Sequence, residues 1–151
     1  FDVTLTLHPR YVDMDKCTGC GSCTDVCPVV LPNAWDLNLK ARKCIHVLFA
    51  QSIPLRATID RAHCIECQLC VQACEKDAIR LDDPGSEKHL RVGAIIVATG
   101  LDPFDAAKRP TLGYGRFDNV FTNIDFERIV CASGPTDGEL VRPDGRPIKR
   151  V

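Results

Sequence analysis

Cysteine spacing constrains this chain more than any other feature. Eight of its ten cysteines form two groups with the same spacing, C-x2-C-x2-C-x3-C. An offset of 47 residues superimposes the two groups, and the match extends upstream, where Val12-Asp13 aligns with Ile59-Asp60. Similarity at a fixed offset is the signature of an internal repeat. The first copy contains Cys17, Cys20, Cys23 and Cys27, and the second contains Cys64, Cys67, Cys70 and Cys74.

This spacing is typical of loops that bind 4Fe-4S clusters. Ligands at i, i+3 and i+6 can wrap three iron corners of one compact core, and the fourth ligand must come from elsewhere. In two-cluster ferredoxins the fourth cysteine of each group binds the other group's cluster. The spacing therefore predicts two crossed ligand sets: Cys17, Cys20, Cys23 and Cys74 for the first cluster, and Cys64, Cys67, Cys70 and Cys27 for the second.

Residues between the ligands fit the same interpretation. Gly19 and Gly21 lack a Cβ, so their backbone can bring N–H groups close to the cluster sulfurs. Pro28 follows Cys27, as in the bacterial ferredoxin motif. Glu75 occupies the corresponding position of the second copy, a departure that removes no ligand.

Three other uses of the cysteines are alternatives to two clusters. A zinc site takes pairs of C-x2-C, and a third cysteine two residues further on overfills its tetrahedron. Disulfides between cysteines three residues apart are uncommon outside redox motifs. A single degenerate cluster is the third alternative. The first residues lack the features of a secretory signal, so we expect a reducing, cytoplasmic location.

Composition excludes several classes of protein. The chain has 19 Lys and Arg against 20 Asp and Glu, so it lacks the basic field with which proteins neutralise nucleic-acid phosphates. No apolar run approaches the roughly 18 residues of a membrane helix. A hydrophobic fraction of 45% argues against intrinsic disorder. We therefore expect a globular protein with no nucleic-acid partner and no membrane span.

Local patterns predict short elements around the cysteine groups. Residues 2–7 alternate polar and apolar, which is typical of a half-buried strand with Val3, Leu5 and Leu7 on one face. Each copy of the repeat is predicted to contain a short strand, a cluster-binding loop and a short helix that ends near the fourth cysteine. The predicted strands cover residues 11–12, 29–31, 44–49, 58–59 and 78–81.

The second half of the chain has a different character. Residues 92–98 are almost all apolar, which predicts a strand buried on both faces in a parallel sheet. Thr122 or Asn123 is expected to cap a helix over 124–132. The basic tail contains Arg142, Arg146, Lys149 and Arg150, and a turn at Asp144-Gly145 is predicted to join two short strands.

Residues outside the motifs suggest no catalytic centre. Cys44 and Cys131 lie in apolar stretches and are expected to be core thiols. His63 precedes Cys64, and we expect an exposed loop histidine, with tuning of the cluster potential as the alternative. No paired carboxylates or Ser/His/Asp grouping can be argued from spacing. The segment that begins at Gly113 lacks the later glycine of a dinucleotide loop.

Four segments together carry a family likeness. They are Y-V-D-M-D-K-C-T-G-C-G-S-C-T-D-V-C-P-V (11–29), V-G-A-I-I-V-A-T-G-L-D-P-F-D (92–105), G-Y-G-R-F-D-N-V (113–120) and F-E-R-I-V-C-A-S-G-P-T-D-G (126–138). In this combination the chain resembles the A subunits of heterodisulfide reductases. The cysteine motif alone is common to many proteins, whereas its combination with the later segments is far more specific to this family.

The resemblance implies a division of the chain. Residues 11–81 would be a ferredoxin-like domain inserted into a thioredoxin-reductase-like flavoprotein domain, of which 1–10 and 82–151 would be flanking parts. The resemblance also places Thr99 and Gly100 near FAD in the full-length family member. We expect this chain alone to bind FAD weakly or not at all, because it has no Gly-rich turn for the pyrophosphate.

The resulting prediction is an α+β fold, a two-cluster bacterial ferredoxin-like domain with flanking strands and a helix from an incomplete flavoprotein domain. Its predicted role is to relay single electrons through two 4Fe-4S clusters, without a catalytic site of its own. The family implies flavin-based bifurcation or confurcation. The implied partners are the rest of the flavoprotein chain and other heterodisulfide reductase or hydrogenase-type subunits. A structural or redox-sensing role for the clusters is the alternative.

Overall fold

The computed structural model describes residues 1–142 and 145–148, which form two compact units. The first unit comprises Phe1–Leu31 and Arg42–Thr99, and the second comprises Pro32–Ala41 and the described part of 100–151. The strands are β1 (Asp2–Leu7), β2 (Val30–Pro32), β3 (Ala41–Lys43), β4 (Ile45–Val47), β5 (Ala57–Ile59) and β6 (Ser86–Arg91). The α-helices are α1 (Ser22–Asp25), α2 (Leu69–Gln72) and α3 (Asn123–Val130).

Each described sheet has two strands. β1 pairs with β6 in antiparallel register, with Val3 opposite Leu90, and β4 pairs with β5 in the same sense. The third sheet is formed by β2 and β3. Short 3-10 turns occupy Ala34–Asp36, Arg61–His63, Ala106–Lys108 and Pro110–Leu112. The predicted strands at 29–31, 44–49 and 58–59 are therefore present with small shifts at their ends.

The first unit has a core to which both copies of the repeat contribute. An isolated bridge joins Val12, at the start of the first copy, to Ile79, just after the second. Backbone hydrogen bonds on either side reinforce it, from Asp13 N to Ala78 O at 2.7 Å and from Arg80 N to Tyr11 O at 2.9 Å. The buried residues of this core are Val12, Cys27, Cys44, Ile45, Ala57, Ile59, Cys70 and Ala78. The two copies thus pack as one body.

The prediction for residues 92–98 is wrong. This segment contains no strand, and Ile95, Ile96 and Val97 are 57%, 91% and 78% exposed. A strand covered on both faces needs neighbouring strands at its edges and packed layers above and below. The described sheets are two-stranded, and the β1–β6 ladder ends where Val92 N donates to Phe1 O. An apolar run alone therefore specifies no strand here.

β1 forms as predicted, but its burial differs from the prediction. Val3 is half-buried, whereas Leu5 and Leu7 are exposed. A two-stranded ribbon buries side chains only where another layer covers it, and the alternating pattern does not reveal whether that layer exists.

The helix of the second unit begins where the sequence predicts. Thr122 Oγ1 accepts a hydrogen bond from Asp125 N at 3.2 Å, and the Asp125 carboxylate accepts one from Thr122 N at 2.9 Å. This reciprocal pair is a capping box. Within the same unit, Arg128 on α3 donates to the buried Asp36 carboxylate at 2.9 Å. The prediction that Cys131 is a core thiol is wrong, because it lies half-buried just after the helix.

The C-terminal residues are described in part. Val141 forms an antiparallel bridge to Pro147, and Gly145 N donates to Arg142 O at 2.8 Å. Asp144, Lys149 and Arg150 lie outside the described residues. In the part of the chain that the structure describes, no helix is both long enough and apolar enough to cross a bilayer.

Candidate metal centres

Four thiols line one cavity of about 150 Å³ in the first unit. Three belong to the loop of the first copy, and the fourth comes from the end of the second copy. These are Cys17, Cys20, Cys23 and Cys74. Backbone and small or apolar side chains form much of the remaining wall, including Gly19, Ala57 and Ile79. This cavity brings together the first set of ligands predicted from the spacing.

A second cavity has the reciprocal composition. Its thiols include Cys64, Cys67, Cys70 and Cys27. This cavity is smaller, about 20 Å³, and apolar side chains such as Ile45, Ile59 and Leu81 crowd it. Its fit to a cluster therefore rests on the donor set, four thiols of the type that binds iron in 4Fe-4S proteins, and not on its volume.

The short helices α1 and α2 explain why the fourth cysteine of each copy lies in the cavity of the other copy. α1 follows the second ligand of the first loop, and α2 occupies the matching place in the second. Each helix ends two residues before the fourth cysteine, whose N–H bonds back to the helix at 3.2 Å, from Cys27 to Thr24 O and from Cys74 to Val71 O. One helical turn thus carries the fourth thiol away from its own loop.

Matching residues of the two loops adopt the left-handed backbone conformation. Gly19 and Gly21 have φ of 72° and 90°, and their equivalents Glu66 and Gln68 have φ of 56° and 61°. Glycine at these two positions therefore permits a positive φ, in addition to any approach of its N–H group to the cluster sulfurs. Gly19 has a further requirement, because a Cβ there would lie 2.6 Å from Leu55 O.

The thiols differ in burial and in their local electrostatics. Cys27 and Cys70 are buried, whereas Cys20 and Cys67 are exposed. Burial raises the pKa of the Cys23 and Cys70 thiols, whereas a hydrogen bond from Ser22 lowers the pKa of the Cys20 thiol. Each site is therefore nearest to solvent at its exposed cysteine.

Two aspartates stabilise the entrances to the loops, a role that the cysteine spacing does not predict. Asp13 accepts hydrogen bonds from the N–H groups of Asp15 at 3.0 Å and Lys16 at 3.3 Å, which holds its pKa below the usual value. Asp60, its equivalent, accepts from Arg42 at 2.7 Å and pairs with His63 at 3.0 Å. Their alignment within the repeat was the signal available in the sequence.

His63 lies where the sequence predicts, in a loop with 58% of its side chain exposed. Its Nδ1 faces the Asp60 carboxylate at 3.0 Å. Across residues 1–142 and 145–148, no three His, Cys, Asp or Glu side chains lie close enough to share one metal ion. The ligand residues instead line the two cavities described above.

Comparison with known proteins agrees with the cysteine geometry. Residues 10–30 and 57–80 match the family described as "4Fe-4S binding domain", once for each copy of the repeat. Over the whole chain, 47% of residues are identical to the A subunit of the H(2):CoB-CoM heterodisulfide,ferredoxin reductase of Methanothermobacter thermautotrophicus. Over its whole length the chain is similar to a segment of the A subunits of heterodisulfide reductases. Its two 4Fe-4S motifs correspond to two 4Fe-4S clusters.

Two further relatives extend the match. The iron-sulfur A subunit of the CoB–CoM heterodisulfide reductase of Methanocaldococcus jannaschii is 51% identical over the whole chain. The A subunit of the ferredoxin:CoB-CoM heterodisulfide reductase of Methanosarcina mazei is 37% identical. The chain spans 23% of the first two relatives and 19% of the third. The resemblance found in the sequence is thus confirmed, for a segment of these longer proteins.

Proposed function

We propose that this chain relays single electrons through two 4Fe-4S clusters within an A-type subunit of a heterodisulfide reductase. The observation that carries the proposal is the grouping of the eight motif cysteines into two cavities, each with three thiols from one copy and one from the other. The ligand sets that we propose are Cys17, Cys20, Cys23 and Cys74 for the first cluster, and Cys64, Cys67, Cys70 and Cys27 for the second.

The protein's contribution is to hold the thiolates and to control their surroundings. A bound cluster supplies reversible one-electron storage, at a potential set by hydrogen bonds to its sulfurs and by exposure to solvent. Ala78 N lies 3.4 Å from Cys74 Sγ and donates to it. Buried Cys27 and Cys70 exclude water from one side of the second site, whereas exposed Cys67 leaves its other side open for electron exchange. Cys20 has the corresponding position in the first site.

The proposal also covers the residues on either side of the cluster-binding segment. We assign 11–81 to the ferredoxin-like domain, and 1–10 and 82–151 to parts of a flavoprotein domain. In the intact protein, Thr99 and Gly100 would lie near FAD. The partners proposed are the rest of the flavoprotein chain and other subunits of a heterodisulfide reductase or hydrogenase-type complex, in flavin-based bifurcation or confurcation.

Anaerobic purification with iron, sulfide and redox analysis tests the proposal. We expect about eight irons and eight sulfides per chain, and clusters that are reduced and reoxidised reversibly within roughly −700 to +450 mV. Electron paramagnetic resonance (EPR) during a redox titration gives both potentials. Stoichiometric zinc without sulfide would contradict the proposal. Full iron content with no reversible reduction would favour a structural or sensing role instead.

A further inference from the structure

The second cavity contains a fifth thiol that the cysteine motif does not include. Cys44 lines this cavity together with the four proposed ligands. Its side chain is only 2% exposed. The first cavity has no counterpart among the described residues, since the thiols that line it are the four ligands alone. The two sites therefore differ in their number of thiols, although their motifs have the same spacing.

The backbone of Cys44 is fixed by hydrogen bonds, whereas its sulfur is held by a weak one. Its N–H donates to Val29 O at 3.1 Å, and its carbonyl accepts from Asp60 N at 3.0 Å. The Sγ donates to Asp60 O at 3.1 Å, a bond of the weak thiol type. Rotation about the Cα–Cβ bond can therefore redirect the sulfur without moving β4 (Ile45–Val47), which begins at the next residue.

We propose that Cys44 is a reserve ligand of the second cluster, able to replace Cys64 when that thiolate is lost. The inference rests on the proposed ligand sets. Cys64 is the ligand in question because both thiols line the same cavity, and Cys44 Sγ bonds to Asp60 O at the start of the turn that ends at Cys64. In the exchange, the Cys44 S–H bond and its hydrogen bond to Asp60 O break, the proton passes to water, and a sulfur–iron bond forms. No electron moves, since metal ligation requires only the deprotonated thiol.

Cys64→Ala and Cys17→Ala make a matched pair, because the two cysteines occupy equivalent positions of the repeat. After anaerobic reconstitution, we expect Cys64→Ala to keep about eight irons per chain and Cys17→Ala to fall to about four. The double variant Cys44→Ala/Cys64→Ala should also fall to about four, a twofold loss relative to Cys64→Ala. Cys44→Ala alone should keep the wild-type content, which shows that the fold tolerates the change.

The controls separate this inference from the proposed function. Zinc or an incomplete cluster content in the wild type would overturn the two-cluster proposal itself. With a normal wild type, a loss of iron in Cys64→Ala equal to that in Cys17→Ala would overturn the role of Cys44 alone. If the double variant does not fold, Cys44→Ser/Cys64→Ala provides a second test, since an oxygen ligand would change the EPR spectrum of the reduced second cluster. A spectrum identical to that of Cys64→Ala would contradict the proposal.

Discussion

In the proposed arrangement individual cysteines hold the clusters, and their partition between the two cavities makes a specific prediction. Cys27→Ser should perturb the cluster held by Cys64, Cys67 and Cys70, although Cys27 belongs to the first copy. The EPR spectrum of the reduced Cys27→Ser variant should therefore resemble that of Cys67→Ser and differ from that of Cys20→Ser. A spectrum that resembles Cys20→Ser would show that each group binds its own cluster.

Alanine variants at Gly19 and Gly21 separate the cost of a steric collision from the cost of a positive φ. Both have positive φ, but only at Gly19 would a Cβ collide with the backbone, at Leu55 O. Gly19→Ala should therefore destabilise the protein by about 1–3 kcal/mol more than Gly21→Ala. The midpoint of denaturant unfolding, followed by loss of cluster absorbance under anaerobic conditions, measures the difference. Equal midpoints would contradict the steric argument.

Asp83 ties the turn before β6 to the start of the repeat. Its carboxylate accepts hydrogen bonds from Gly85 N, Tyr11 N and Arg10 N at 2.9–3.1 Å, and these bonds hold its pKa below the usual value. The stabilisation should be present above about pH 4 and be lost as the pH falls through the lowered pKa. Asp83→Asn should therefore lower the unfolding midpoint at pH 7, and this deficit should narrow below about pH 4. Asp82→Asn is the control, and a pH-independent deficit would contradict the assignment.

At the scale of elements, the sequence predicted the features that depend on interactions between residues close together in the chain. The N-terminus of α3 was predictable, because the Thr122 cap and its Asp125 partner lie three residues apart in sequence. The short helices α1 and α2 were predictable from the cysteine spacing, although neither has a side-chain cap. Residues 92–98 were mispredicted, since a run of apolar residues does not specify which strands will pair with it. The place of Cys44 in the second cavity could not be predicted, because β4 and β5 (Ala57–Ile59) bring it there through pairing that its own neighbours do not encode.

The capping box of α3 has a measurable consequence. Thr122→Ala removes the acceptor of the Asp125 N–H and should destabilise the helix end by about 1 kcal/mol. Amide hydrogen exchange at Asp125 and Phe126 should accelerate accordingly. Thr122→Ser keeps the hydroxyl and should retain most of the protection. Exchange in the serine variant as fast as in the alanine variant would show that the cap contributes nothing.

At the scale of the whole molecule, the two units differ in what stabilises them. The first unit has a small core that contains many thiols. In the proposed arrangement, each cluster binds cysteines from both copies of the repeat. The second unit holds α3 through its cap, the buried Ile129 and the pair between Arg128 and Asp36. The crossed arrangement of the first unit stays a prediction from the repeat in the sequence. The Arg128–Asp36 pair was not predictable, because 92 residues separate its members.

Removal of the clusters should therefore affect the two units differently. Metal binding is coupled to folding, so anaerobic chelation of iron should unfold the first unit. Hydrogen exchange should then show loss of amide protection at Cys27, Ile59 and Cys74, on both copies at once, because a crossed ligand set leaves neither copy supported by its own cluster. Amides of α3 in the second unit should keep their protection, since no proposed ligand lies there. Selective loss of the first cluster in Cys20→Ser should likewise weaken protection at Cys74, in the second copy. Weakening confined to residues 17–27 would show that each copy is stabilised by its own cluster.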